Sequence, residues 1–202
     1  MDHRPTTEEP KNEDLPPVPP EPSLEWWAVR RKVKLPVKVA ELRRKLYLKA
    51  KQESKFRFYA LYDRIYRRDV LTAAWWIVLA KNKSPGLDGV TCQDIVDAPG
   101  GANKYLDDLH ESLKNKTYKP DRVLRAYIDK PDGGKRPLGI PTMRDRIVQT
   151  AAVLILESIF EADFLDTSYA YRPGRDANDA VQAIAGHLRE GYREFYDDDL
   201  KG

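Results

Sequence analysis

One stretch constrains this chain more than any other: Tyr127-Ile128-Asp129-Lys130-Pro131-Asp132-Gly133-Gly134-Lys135-Arg136-Pro137-Leu138-Gly139-Ile140-Pro141. Residues 123–130 alternate in strand fashion, and residues 136–142 form a second strand candidate. Between them Asp132-Gly133-Gly134 supplies a hairpin turn, because glycine adopts the positive φ that a tight reversal needs. The rest of the pattern is mostly helical. Pro36 suits a first helical position, with Val39, Leu42 and Leu46 on one face and the arginines and lysines on the other. A second helix is expected over 56–67 around Leu61 and Ile65. Asp69 reads as the N-cap of a helix over 70–81, with Trp75 and Trp76 in the core.

Further along, Thr91 with Asp94 resembles a capping box, followed by a helix near 101–115. Thr142 with Asp145 opens a helix over 143–160, with Ile147, Val148, Ala151, Leu154, Ile155 and Ile159 on one side. Asp176 caps a helix over 177–190, whose Ala180, Val181, Ile184 and Leu188 are expected to point inward. A short strand, Glu194–Leu200, ends in acids. Helices and strands mixed this irregularly argue for an α+β fold.

Charge is distributed unevenly. The net charge is only +3, yet residues 1–25 carry Asp2, Glu8, Glu9, Glu13, Asp14, Glu21 and Glu25 against Arg4 and Lys11. Residues 30–57 carry twelve Lys or Arg against Glu41 and Glu53, with Trp26, Trp27, Tyr47, Phe56 and Phe58 at the edges. Such a block is either a solvated helix face or the footprint of nucleic-acid binding, where cations neutralise phosphates and aromatics stack on bases. Residues 1–25, rich in proline and acid, are expected to form a disordered leader. No run of about 18 apolar residues exists to span a membrane. The amino terminus lacks the basic and apolar pattern of a secretory signal. Cys92 is the single cysteine, which fits a reducing cytosol, and His3, His110 and His187 are too scattered for a zinc site.

Two places could carry chemistry. Lys130 ends one strand and Arg136 starts the next, so the glycine turn folds two cations towards each other where they could grip a polyphosphate. The same hairpin is also consistent with routine surface lysines. At the carboxyl end, Phe195-Tyr196-Asp197-Asp198-Asp199-Leu200-Lys201-Gly202 would send Asp197 and Asp199 to one strand face. Those carboxylates suit Mg²⁺, or form an acidic surface tail.

The order of motifs resembles the bacterial group II intron reverse transcriptase/maturase family. The matching residues are Lys83–Thr91 (KSPGLDGVT), Asp129–Thr142 (DKPDGGKRPLGIPT), Arg144-Asp145-Arg146-Ile147-Val148-Gln149, Leu156-Glu157-Ser158-Ile159-Phe160-Glu161, Ser168–Arg175 (SYAYRPGR) and Asp197–Gly202 (DDDLKG). The resemblance covers roughly residues 56–202 and implies part of a right-hand polymerase, with helical fingers, a β-hairpin and an incomplete palm. On that reading residues 26–55 form a basic helical extension. Residues 56–190 form the fingers and the beginning of the palm, and residues 191–202 the first catalytic palm strand.

By the resemblance, Lys130 and Arg136 bind the triphosphate of an incoming deoxynucleotide. Asp199 is a catalytic Mg²⁺ ligand, assisted by the backbone carbonyl of Leu200. Lys83, Arg172 and Arg175 face nucleic acid; Arg43 and Arg44 are expected to face it too, from the basic block that precedes the matched residues. The implied partners are RNA template or intron RNA, a DNA primer and deoxynucleoside triphosphates, in a bacterial-type cytoplasm. The family's later Ala-Asp-Asp element does not occur in this sequence, which ends three residues past Asp199. Since two metals must be clamped about 3.5–4 Å apart by several carboxylates, the expectation is an amino-terminal fragment that does not polymerise alone. Its apolar carboxy-terminal elements would then lack cover. Two other readings stand beside this one: a non-enzymatic RNA-binding protein that assists splicing, and an unrelated phosphate-binding module.

Overall fold

The computed structural model describes residues 29–30, 33–81, 84–131, 133–194, 196 and 198. The acidic leader, Lys83, Asp132, Asp197, Asp199 and Leu200 lie outside the described residues. A short antiparallel pair, β1 (Val29–Arg30) and β2 (Val33–Lys34), precedes helix α1 (Val37–Gln52), for which Pro36 is the N-cap. Then follow α2 (Tyr62–Ile65), α3 (Arg68–Leu79), α4 (Cys92–Asp97) and α5 (Gly101–Lys114). The hairpin is β3 (Leu124–Asp129) and β4 (Lys135–Ile140), succeeded by α6 (Met143–Phe160) and α7 (Ala177–Arg189). Helices with two small antiparallel sheets fit the α+β expectation.

Helix α6 is the axis of the core. Its Met143, Ile147, Ala151, Leu154 and Ile155 recur at three- and four-residue spacings and are fully buried. Against that stripe pack Val70, Leu71, Ala74 and Ile77 of α3 and Val39 of α1. Leu106, Leu109 and Leu113 of α5, with Cys92 and Ile95 of α4, close the other side. The Thr91 capping box forms as expected: its hydroxyl accepts from the Asp94 amide while its own amide donates to the Asp94 carboxylate.

Five expectations need correction. The helix over 56–67 shrinks to the single turn of α2. Phe56 and Phe58 stack edge to face with centroids 5.0 Å apart, a contact between residues two apart that a helix cannot make. Asp69 does not cap: α3 begins one residue earlier, and Asp69 sits in its first turn bound to Arg67 at 2.6 Å. Trp75 is buried but its neighbour Trp76, turned about 100° around the helix, is half exposed. Val181, Ile184 and Leu188 of α7 are about 60 % exposed rather than inward, as the expectation of an uncovered apolar face has it. In the Glu194–Leu200 stretch the described residues Glu194, Tyr196 and Asp198 are not in a strand. Among the described residues no helix is long and apolar enough to cross a membrane.

Candidate nucleotide and nucleic-acid interface

The hairpin forms with Ile128 opposite Arg136 and Asp129 opposite Lys135. Beyond the last pair the Lys130 amide donates to the Gly134 carbonyl at 2.7 Å, and the Gly133 amide to the Lys130 carbonyl at 3.0 Å. Gly133 has φ +82°, so the turn needs glycine there. Strand alternation puts Arg136 on the face of Ile128, and Lys130, two residues further, on that face too. Asp129 and Lys135 occupy the opposite face, 4.0 Å apart. Lys130 and Arg136 are both exposed, and among the described residues neither makes an ion pair. Two uncompensated cations on one face present what a polyphosphate needs.

The same face of β4 continues through Leu138 and Ile140 into a groove of about 560 Å³ between the end of α3 and the middle of α6. Its floor is apolar, from Ile77, Val78, Val153 and Leu154; Lys81 and Arg146 stand among its polar groups, and among the described residues no carboxylate lines it.

The hairpin's root is held by polar contacts. The Thr142 hydroxyl accepts the Asp145 amide at 3.3 Å and so caps α6. The Asp145 carboxylate, 2 % exposed, turns away to accept the Tyr118 hydroxyl at 2.5 Å and the Asp121 amide at 2.9 Å. Burial, and then the bond to Asp145, push the Tyr118 phenol well above its ordinary pKa. Arg144 lies 5.0 Å over the Tyr118 ring. Behind this node the loop carrying Gly86 approaches so closely that a Cβ there would come within 2.7 Å of Thr142 backbone atoms.

No protein-family model matches the chain. Known proteins do. The group II intron-encoded protein LtrA of Lactococcus lactis subsp. cremoris is 38% identical over 146 residues, covering 72% of this chain and 24% of LtrA. Protein YkfC of Escherichia coli (strain K12) is 35% identical over 154 residues, 75% of this chain and 40% of YkfC. Nuclear intron maturase 2, mitochondrial, of Arabidopsis thaliana is 40% identical over 57 residues, 28% of this chain and 8% of the maturase. This chain belongs to the group II intron reverse transcriptase/maturase family. It spans about a quarter of the length of LtrA and two fifths of YkfC.

In this intron-family chain the remaining basic residues divide by burial. Arg43 is fully buried in α1 and its Nη2 lies 2.9 Å from Glu157 of α6, so it is a core residue and is not presented to nucleic acid. Arg44, Lys38 and Lys45 are exposed on the other side of α1. Arg172 is also corrected. Its side chain is 6% exposed and donates to the Glu161 carboxylate at 2.7 Å and to the carbonyls of Leu165 and Ser168. That is a clamp on the loop after α6, with the Phe164 ring beneath it. Arg175 is partly exposed and bound to Asp166 at 3.0 Å.

Sequence reasoning missed the groove cations Lys81 and Arg146 and the second role of Asp145. Asp145 was legible only as a capping partner three residues from Thr142. Nothing local announces that Tyr118 and Asp121 return to it. Among the described residues no group of three or more His, Cys, Asp or Glu could hold a metal.

Proposed function

We propose that this chain supplies the nucleotide- and RNA-contacting fingers of an RNA-directed DNA polymerase of the group II intron type, as the amino-terminal part of a longer protein. The observation that carries the reading is the pair of exposed cations, Lys130 and Arg136, on one face of the hairpin and without ionic partners among the described residues. Lys130 contributes a point charge and Arg136 a bidentate fork to the triphosphate of the incoming deoxynucleotide. Asp199, with the Leu200 carbonyl, is the proposed Mg²⁺ ligand pair from this chain. The ion, when bound with further carboxylates, neutralises charge on the attacking and leaving oxygens. Template or intron RNA and a DNA primer are the proposed partners, and the bacterial cytoplasm the proposed setting.

A second reading has its own observation. Lys38, Arg44 and Lys45 lie exposed on α1 and fit a protein that holds structured RNA without copying it. One experiment addresses both. Structured RNA is titrated against the chain at two salt concentrations, and an azido-deoxynucleotide is photo-crosslinked in parallel. Lys130→Ala/Arg136→Ala should abolish crosslinking to the hairpin and spare RNA affinity. Charge reversal of Lys38, Arg44 and Lys45 should abolish salt-sensitive RNA binding. Crosslinking that survives the hairpin double substitution sinks the nucleotide assignment, and RNA binding with crosslinking absent throughout favours the second reading.

A further inference from the structure

The hairpin carries its cations at the end of a lever. Every residue of β3 except Ala126 is exposed, as is every residue of β4 except Ile140, and helices border β4 only towards its root, where Leu138, Gly139 and Ile140 line the groove. Six residues at about 3.3 Å each make an arm of roughly 20 Å. A rotation of roughly 10° at the root would therefore move Lys130 and Arg136 by about 3–4 Å, well outside the ~0.5 Å tolerance of a preorganised site. Whatever fixes the root fixes the site.

Both legs of the hairpin meet one residue, Asp145, the first through its carboxylate and the second through its backbone amide. The leg entering β3 is tied through the Tyr118 hydroxyl and the Asp121 amide, which both donate to the Asp145 carboxylate. The leg leaving β4 is tied where the Thr142 hydroxyl accepts the Asp145 amide. At 2 % exposure the carboxylate is shielded from water, so a lost donor would not be cheaply replaced. We propose that Asp145 is the positioning residue that sets the angle of the hairpin, and hence where Lys130 and Arg136 are held; this rests on the hairpin reading above.

A merely structural role for Asp145 would lower stability without changing the spread of hairpin positions, so the test reads that spread. Spin labels are placed at Lys135→Cys near the turn and at Leu156→Cys on the body of α6. The native Cys92 is buried, and burial raises its thiol pKa, so it stays unlabelled. Pulsed dipolar spectroscopy then gives the distance distribution for the otherwise native chain, for Tyr118→Phe and Asp145→Asn, and for Asp94→Asn as a capping acid whose carboxylate bonds Thr91 and not the Tyr118–Thr142 node. The expected result is at least a twofold broadening in Tyr118→Phe and Asp145→Asn, with the native width kept in Asp94→Asn. Native widths in folded Tyr118→Phe and Asp145→Asn overturn the proposal, and so does equal broadening in Asp94→Asn. If Asp145→Asn does not fold, Tyr118→Phe decides alone. No nucleotide enters the measurement, so its failure is distinct from failure of the crosslinking experiment.

Discussion

Arg43 and Arg44 are adjacent in sequence and chemically alike, yet a helix turns them about 100° apart and the fold gives them different work. Arg43 faces α6, is itself fully buried and meets the largely buried Glu157, whereas Arg44 faces solvent. Removing one partner of a buried pair strands the other charge, which typically costs about 3–5 kcal/mol. Arg43→Ala is therefore expected to lower the urea unfolding free energy by about that amount. Arg44→Ala, at an exposed position, should cost less than that and act on RNA affinity. Equal stability losses would mean that the buried pair contributes no more than a surface charge. Both arginines look the same in the basic run from 30 to 57. Only the register of α1 against α6 separates them, and that register is a tertiary fact.

At the scale of elements, most of what was legible came from local chemistry. The turn glycines announced the hairpin and Thr91, Thr142 and Asp176 announced helix starts, because a cap or a positive φ is satisfied within a few residues. The failures lie where a distant contact overrides local preference. Residues 56–58 leave the helix because Phe58 packs on the small cluster of Tyr47, Ala50 and Ala162. Asp69 lies inside the first turn, where its carboxylate takes Arg67 and the Val70 amide and is not the N-cap. The loop before α4 shows the same dependence. Turn chemistry marks residues 83–89 as a loop but does not reveal that Gly86 is pressed against the first turn of α6. A methyl there would lie 2.7 Å from the Thr142 nitrogen and Cα and 2.8 Å from the Pro141 carbonyl, all backbone atoms that cannot rotate aside. Gly86→Ala is expected to cost about 1–3 kcal/mol in thermal or urea unfolding. An unchanged midpoint would show that the loop yields and does not brace the hairpin root.

For the molecule as a whole, stability should be unevenly shared. Helices α1, α3, α5 and α6 bury their apolar faces in one core, so their amides open only with most of the fold. Helix α7 differs. Its Asp176 capping box is complete, but Val181, Ile184 and Leu188 are exposed, and among the described residues no other element packs extensively against it. A 13-residue helix with little tertiary support is marginal in water even when well capped. The clamp of Arg172 on Glu161 and the carbonyls of Leu165 and Ser168 secures the loop leading to it, not the helix itself. Native-state hydrogen exchange should therefore find α7 amides exchanging at least ~100-fold faster than those of α3 and α6, through local opening. Protection of α7 equal to that of α6 would mean that its apolar face is covered in solution. Repeating the exchange at tenfold lower concentration would then separate the two sources of cover: protection lost on dilution points to a second copy of the chain, and protection retained points to cover from within it.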